Sequence, residues 1–310
     1  MTTVNPLQTE INSVIALYSN GQIQEALDTV ETLIKDYPNE PVLYNISGAC
    51  FAGLGQLDNA LKSYEKALAI KPDYAEAHNN LGITFQELGQ LDEAVKCYEK
   101  AIAIKPDYAE AHNNLGILLK ELDQLDAAVK SYEKAIAIKP DYADSHYNLA
   151  VTFQGLGQLD EAVKCYEKAI AIKPDHVEAF NNLGSTLKEL GQLDTAVKSY
   201  EQILAINPNF AEAHNNLGIT FQELGQLDEA VKCYEKAIAI KPDYAEAHNN
   251  LGITLKNLGQ LDEAVKCYEK ALTIKPDHVE AHNNLGNALY DLGQHDAAVK
   301  SYKQALAIKP

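Results

Sequence analysis

Hydrophobic residues recur along the chain as pairs of stripes, and each stripe has the spacing of a helix. In the segment 75–108, a first helix is predicted to carry its apolar face at His78, Leu81, Gly82, Phe85 and Leu88. A second helix carries a matching face at Leu91, Ala94, Val95, Tyr98, Ala101 and Ile102. Gly89 ends the first helix because glycine accepts a left-handed backbone, and Pro106 ends the second because it cannot continue the hydrogen-bond ladder. Asp73 and Glu76 have the spacing of a capping box at the start of the first helix.

This two-helix pattern repeats every 34 residues. Residues 75–108 and 211–244 are identical, and some positions alternate with a second period of 68 residues. A position in the repeat is counted from the first residue of its unit, so that Ala75 occupies position 1. The units begin at Leu7, Pro41, Ala75, Ala109, Ala143, Val177, Ala211, Ala245 and Val279.

A single helix pair cannot bury its own apolar faces, so neighbouring pairs must stack on one another. The sequence therefore predicts an all-α solenoid of nine tandem helix–turn–helix repeats. The first unit departs most from the pattern, since Val14 and Leu33 stand where glycine and alanine are expected. Residues 1–40 are therefore predicted to form a degenerate N-terminal capping repeat. Residues 41–310 form the regular array, whose last unit, 279–310, is incomplete.

The recurring residues carry a family resemblance. The pattern resembles the tetratricopeptide repeat in Leu81, Gly82, Phe85, Gly89, Ala94, Tyr98, Ala101 and Pro106. This resemblance implies a right-handed superhelix in which the first helix of each repeat lines a concave groove. It also implies that the groove binds extended peptides or partner proteins. The segment 77–82 is similar to repeats of the O-linked N-acetylglucosamine transferase family, in which an asparagine ladder holds the substrate polypeptide.

The groove residues are predicted from helical geometry. With the core face assigned, positions 2, 5, 6, 9, 12 and 13 are expected to point away from the core. Position 6 supplies the predicted asparagine ladder of Asn80, Asn114, Asn148, Asn182, Asn216, Asn250 and Asn284. Position 5 adds Asn79, Asn113, Asn215 and Asn249, and position 9 adds an aliphatic seam of Ile83, Ile117, Ile219 and Ile253. An asparagine side chain both donates and accepts, so a row of them can pair with a peptide backbone whatever its side chains.

The same positions allow two other interpretations of the groove. A solvated helix face needs polar residues, and duplication copies whatever is there, so the asparagines could be surface polarity alone. The carboxylate clamp of co-chaperones resembles a lysine at position 5 and an asparagine at position 9. Because Asn79 and Ile83 occupy these positions, that type of groove is rejected.

Charge and cysteine content narrow the class of partner. The net charge of −18 argues against nucleic acid and against an anionic membrane surface. Glutamates recurring at position 2, such as Glu76 and Glu110, favour a ligand with basic character. The start of the chain lacks the pattern of a signal peptide, and no apolar run is long enough to span a bilayer. Five cysteines without a C-x-x-C pair favour reduced thiols in the cytoplasm.

No catalytic or metal site is expected. Six histidines recur at position 4, on the predicted core face, at His78, His112, His146, His214, His248 and His282. Equivalent positions of stacked repeats lie about 8–10 Å apart, too far to share one ion. These histidines are therefore predicted to be packing residues whose burial lowers stability in acid. Cysteines that exchange with serine at position 23 are likewise predicted to pack, and no cofactor or enzymatic activity is expected.

Two alternatives to a peptide-binding module stay open. The sequence ends on Lys309-Pro310 without an extra polar helix, so the last repeat is expected to lack a cap. A second copy could cover it, which would make the protein a self-assembling scaffold and a homo-oligomer. A chain continuing beyond Pro310 would instead make these repeats the substrate-recognition arm of a transferase.

Overall fold

A computed structural model describes residues 6–309, so residues 1–5 of the predicted cap and Pro310 of the incomplete last unit lie outside the described residues. The chain divides into two compact units, residues 1–152 and 153–310. The first unit contains the helices α1 (Pro6–Ser19), α2 (Ile23–Asp36), α3 (Pro41–Gly53), α4 (Leu57–Ile70), α5 (Ala75–Glu87), α6 (Leu91–Ile104), α7 (Ala109–Glu121), α8 (Leu125–Ile138) and most of α9 (Ala143–Gly155).

The second unit contains the end of α9 and the remaining helices. These are α10 (Leu159–Ile172), α11 (Val177–Glu189), α12 (Leu193–Ile206), α13 (Ala211–Glu223), α14 (Leu227–Ile240), α15 (Ala245–Asn257), α16 (Leu261–Ile274), α17 (Val279–Asp291) and α18 (His295–Ile308). All eighteen elements within residues 6–309 are helices, and they fall into nine helix–turn–helix pairs. The predicted all-α array of nine tandem repeats is confirmed.

The turn inside each pair has the predicted geometry. Gly89 has a φ of 73°, in the left-handed region that glycine enters without strain. In the repeat 109–142 the same place is taken by Asp123, whose φ is 59°. Asp123 is the one non-glycine residue with positive φ among residues 6–309. Its turn therefore holds the glycine geometry at the cost of some backbone strain.

The predicted capping box is wrong. Helix α5 begins at Ala75 and its N-cap is Tyr74, which makes no side-chain capping hydrogen bond. Asp73 therefore lies one residue too early to cap the helix. The start of the helix is held instead by His78, whose backbone N–H donates to the Tyr74 carbonyl at 3.1 Å. The His78 ring Nε2 also lies 3.0 Å from the Pro72 carbonyl oxygen, which fastens the helix to the preceding turn.

The core of the first unit is built around a tyrosine in the second helix of each repeat. Tyr98 and Tyr132 are at most 1% exposed, and each lies against a glycine of its own first helix. A Cβ atom added to Gly116 would lie 2.6 Å from Cε1 of Tyr132. The two helices therefore approach closely at Gly116, and a larger residue there requires the packing to adjust. Ala77 and Thr84 are also buried, although the apolar stripe did not include them, because α5 packs against α3, α4, α6 and α7.

In the second unit, the hydroxyl groups of two equivalent tyrosines differ in their hydrogen bonds. The Tyr234 hydroxyl donates to Gln222 Oε1 at 3.2 Å, and Thr254 of the next repeat donates to the same oxygen at 2.8 Å. The buried Tyr268 hydroxyl finds no hydrogen-bond partner within residues 6–309. Its own repeat has lysine in place of that glutamine, and the next repeat has Ala288 in place of that threonine.

We expect the substitution Ala288→Thr to stabilise the protein by about 1 kcal/mol, because a buried hydroxyl without a partner is costly. The free energy of unfolding in urea measures this. In a Tyr268→Phe background the gain should vanish, since no hydroxyl is left to pair. An equal gain in both backgrounds would show that packing, and not the hydrogen bond, is responsible.

Candidate asparagine groove

The asparagines of the first helices form hydrogen bonds from one repeat to the next. In each resolved pair, Nδ2 of the asparagine at position 6 donates to Oδ1 of the asparagine at position 5 in the preceding repeat. The Asn114–Asn79 distance is 3.0 Å and the Asn148–Asn113 distance is 3.2 Å. The same bond joins Asn80 to Asn45, Asn216 to Asn181, Asn250 to Asn215 and Asn284 to Asn249, at 3.0 to 3.2 Å.

Position 5 does not point away from the core, which corrects the prediction for Asn79, Asn113, Asn215 and Asn249. These side chains are only 3–5% exposed. The reason is that the first helices of successive repeats contact one another, as α5 does with α7, and position 5 lies at that contact. In the last repeat Asn283 has no following helix beside it within the described chain, and it is exposed.

Positions 6 and 9 are more accessible. Asn80, Asn114, Asn148, Asn182, Asn216, Asn250 and Asn284 are all half-buried. Ile83 and Ile117 are 37% and 38% exposed, whereas Ile219 and Ile253 are half-buried. These two positions therefore present a strip of amides and aliphatic carbon on the first helices.

A concave pocket of about 510 Å³ lies on this face in the second unit. It spans three consecutive repeats and is lined by Asn215, Ile219, Tyr244, Glu246, Asn249, Asn250, Lys275, Asp277, His278, Val279 and Glu280. Three of its side chains are carboxylates and one is a lysine. Lys275 Nζ lies 3.5 Å from Glu246 Oε1, and both side chains are about half exposed, so this pair is weak.

The side-chain amide of Asn249, in this pocket, forms a hydrogen bond through its oxygen but not through its nitrogen. Asn249 is 3% exposed, and its Oδ1 accepts from Asn284 Nδ2 at 3.0 Å. That bond fixes the orientation of the amide. Its Nδ2 group has no acceptor among the described residues of the protein. The pocket therefore contains an amide donor that is available to an outside acceptor.

The histidines have a role that the stripe did not reveal. In all six, ring Nε2 lies 3.0–3.1 Å from the carbonyl oxygen of the proline six residues earlier. A carbonyl only accepts, so Nε2 carries the proton and donates. The proline that recurs six residues before each histidine is the sequence feature that could have indicated this bond. Within residues 6–309 no three histidine, cysteine or acidic side chains are grouped as metal ligands would be.

The cysteines are buried or half-buried. Burial raises the pKa of the Cys50, Cys97, Cys233 and Cys267 thiols to about 11. These thiols are therefore protonated at neutral pH and weakly nucleophilic. This agrees with the predicted packing role at the seam between helices.

We expect stability to fall in acid as the pH drops below about 6.5. Burial, with a smaller effect from a nearby lysine, lowers the pKa of His214 and His248 below the ordinary value of about 6.5 despite the bond to proline. Because the folded pKa is the lower one, the stabilisation is complete above pH 6.5 and is lost as the pH falls through the folded pKa. Melting temperature against pH measures this.

Phe180 occupies the same position in the repeat 177–210, so phenylalanine is a matched control. A His214→Phe, His248→Phe variant should lose part of the pH dependence. A wild-type melting temperature that is flat between pH 8 and pH 5 would refute the expectation.

Comparison with known families decides what kind of repeat this is. A family model described as tetratricopeptide repeat matches residues 107–175, 141–209 and 243–310, which together exceed half of the chain. A second, described as TPR repeat, matches residues 48–89, 84–123 and 221–259. The chain belongs to the tetratricopeptide repeat family. Repeats of this family form protein-interaction modules.

Solved structures of tetratricopeptide proteins are similar to this chain. One is YrrB, described as a TPR protein with an unusual peptide-binding site, at 27% identity and a TM-score of 0.53 over 60% of this chain and 96% of that chain. Another is the APC/C hetero-tetramer Cut9–Hcn1, which is 17% identical. Its TM-score is 0.57, and the match covers 93% of this chain and 57% of that chain. MamA is 30% identical, with a TM-score of 0.49 over 52% and 94%. No curated protein sequence matches.

Within residues 6–309, every helix is too short or too polar to cross a bilayer.

Proposed function

We propose that this tetratricopeptide protein binds an extended, basic segment of a partner protein in the pocket formed by residues 215–280. The observation that carries the proposal is the Nδ2 group of Asn249. It belongs to a side chain that is 3% exposed, it is oriented by the bond from Asn284, and it has no acceptor within the described residues. A backbone carbonyl of an extended peptide supplies the acceptor. The peptide carbonyl would take the place of water at this donor.

The neighbouring amides extend this recognition. Asn250 and Asn284 use Nδ2 within the protein, and no hydrogen bond from a described residue reaches their Oδ1 atoms. These oxygens can accept from peptide N–H groups. Asn249 in the pocket therefore offers a donor, and Asn250 beside it offers an acceptor, to a peptide backbone, which is what binding without strict side-chain specificity requires. The likeness to YrrB, itself described as having a peptide-binding site, supports this class of ligand.

The charge of the pocket favours a basic side chain. Glu246, Asp277 and Glu280 line it together with a single lysine, Lys275. Lys275 is half exposed and only loosely paired, so it can swing away. Tyr244 also lines the pocket, and its ring already accepts a cation, since Lys241 Nζ lies 4.9 Å from the ring centroid. An arginine of the peptide is therefore the side chain that fits best.

Fluorescence anisotropy tests the charge preference directly. The probes are fluorescein-labelled acetyl-ASARASA-amide and its acidic counterpart acetyl-ASAEASA-amide, titrated with the full chain. We expect the arginine peptide to bind about tenfold more tightly at low salt, with the difference shrinking as salt is added. A Glu246→Gln, Glu280→Gln variant should lose most of the preference. Equal binding of both peptides would contradict a basic ligand.

Alanine substitutions in the ladder cannot isolate peptide binding, because these amides also hold the repeats together. Asn249→Asp is sharper, since the acid keeps an oxygen for Asn284 and removes the Nδ2 donor. The added negative charge should by itself favour the arginine peptide. Weaker binding in spite of it, with an unchanged circular dichroism spectrum at pH 8, is the expected result. Asn283→Asp, at the exposed equivalent position, is the matched control and should bind no more weakly than the wild type.

A second candidate function is self-association through the last described repeat. Tyr290 and Leu306 are 60% and 63% exposed, and Val299 is 49% exposed. Val299 and Leu306 lie seven residues apart on α18 and so share one face, and an exposed apolar face favours contact with a second protein surface. Analytical ultracentrifugation across a range of concentrations tests this. A wild type that dimerises and a Leu306→Glu variant that stays monomeric would support the scaffold function, whereas a wild-type monomer at all concentrations would remove it.

A further inference from the structure

A second pocket lies in the first unit, between the helices α2, α3 and α4. Its volume is about 290 Å³. It is lined by Glu31, Ile34, Lys35, Tyr44, Ser47, Phe51, Lys62, Ser63 and Lys66, none of which belongs to the asparagine groove. Its walls are apolar, its deepest side chains are serines, and its rim carries lysines.

The pocket exists at a place where the repeat pattern loses a leucine. Position 7 is leucine in the seven repeats that follow, at Leu81, Leu115, Leu149, Leu183, Leu217, Leu251 and Leu285. In the second repeat this position is Ser47, which is 3% exposed and lines the pocket. Ser47 is smaller than leucine by about two carbon atoms. The volume that a leucine side chain occupies elsewhere is therefore partly open here.

Polar groups at the bottom of the pocket are only partly satisfied by the protein. Ser63 Oγ donates to the Asn59 carbonyl at 3.0 Å. Ser47 Oγ lies 3.5 Å from Ser63 Oγ, which is at the limit of a hydrogen bond. Both serines are more than nine-tenths buried. The Ser47 hydroxyl can therefore exchange this long contact for a shorter one to a ligand.

The rim is positive in a protein of strongly negative charge. Lys35, Lys62 and Lys66 line the pocket with one carboxylate, Glu31, and none of the three lysines forms a salt bridge to another residue in 6–309. In three other repeats the lysine at position 22 is paired with a glutamate at position 19, as Lys96 is with Glu93 at 2.7 Å. In the second repeat Asn59 stands in place of that glutamate. Lys62 therefore lacks the carboxylate that pairs with Lys96, Lys164 and Lys232.

We propose that this pocket binds an acidic peptide segment of a partner protein that inserts one leucine-sized side chain. The apolar side chain lies between Ile34, Phe51 and Tyr44, above Ser47. The carboxylates on either side of it contact Lys35, Lys62 and Lys66. This site is independent of the asparagine groove and prefers a ligand of opposite charge, so each can be tested without the other.

Binding of three labelled peptides to the full chain tests the proposal. The probes are fluorescein-labelled acetyl-GDELDG-amide, the same peptide with alanine in place of leucine, and acetyl-GNQLNG-amide. We expect the first to bind about tenfold more tightly than either of the others, because it combines apolar burial with opposite charge. No measurable binding of the first peptide at about 1 mM protein, or equal binding of all three, would overturn the proposal.

The substitution Ser47→Leu is the decisive variant. It restores the residue that this position has in the following repeats, so it is expected to fold and to fill the pocket. Binding of acetyl-GDELDG-amide should fall about tenfold or more. Lys62→Gln with Lys66→Gln, both exposed, should weaken binding and reduce its salt dependence, since only Lys35 remains. Asn249→Asp should leave this peptide unaffected, which separates the site from the groove. Undiminished binding by Ser47→Leu would refute the proposal.

Discussion

Replacing Gly116 with valine should lower the free energy of unfolding by about 3 kcal/mol. A Cβ atom at this position would lie 2.6 Å from Cε1 of Tyr132 and 2.8 Å from Cδ1. The ring cannot move aside, because Tyr132 is fully buried. Ala150 occupies the equivalent position in the repeat 143–176, so one methyl group is tolerable in this architecture. Valine adds two further carbon atoms on a stiff, branched side chain.

Urea unfolding followed by circular dichroism measures the loss. Gly155 is the control, since it lies at the end of a helix and an added Cβ would meet no atom within 4 Å. Gly155→Ala should leave stability unchanged or raise it by up to about 1 kcal/mol, through helix propensity alone. A Gly116→Val protein as stable as the wild type would mean that the two helices of a repeat are not as closely packed as described.

Replacing Asn113 with alanine should cost about 2 kcal/mol of stability. Asn113 Oδ1 accepts from Asn148 Nδ2 at 3.2 Å and from Ser145 Oγ at 2.9 Å. Ser145 is fully buried, so the substitution leaves at least one buried donor without its acceptor. The loss reflects the bonding between repeats, because both donors belong to the repeat that follows.

Asn283 provides the matched control for this prediction. It occupies the same position in the last repeat, but it is exposed and accepts no hydrogen bond from another side chain within residues 6–309. Asn283→Ala should change stability by less than about 0.5 kcal/mol. If both substitutions cost the same, helix propensity would explain the result and the bonding between repeats would not.

Much of the fold is predictable from the sequence because each rule acts within one repeat. Gly89 and Pro106 end helices through their own backbone chemistry, and the spacing of Ala94, Tyr98 and Ala101 defines a buried face on a single helix. Asp73 shows the limit of such local patterns. It has the spacing of a cap, but the helix begins two residues later and is tied to the preceding turn through His78.

The candidate site is only partly predictable because its amides are shared between repeats. Helical spacing predicts that Asn79 points away from the core of its own repeat. The next repeat nevertheless covers its side chain. Side-chain spacing within one helix does not contain that second contact. The pocket at Ser47 is recognised only when the sequence and the packing of the helices are considered together. The sequence shows a missing leucine, and only the packed helices show the volume and the lysines around it.

In the proposed complex, a carbonyl of the peptide backbone accepts a hydrogen bond from the Nδ2 group of Asn249. Side-chain amide nuclear magnetic resonance tests it most directly, with the Asn249 signals assigned by comparison with Asn249→Asp. On saturation with acetyl-ASARASA-amide, the Asn249 Nδ2 resonances should shift, because that group gains an acceptor. Those of Asn59, whose Nδ2 already donates to Gln56 Oε1 at 3.0 Å, should stay in place. Binding of the peptide with no change at Asn249 would contradict the claim.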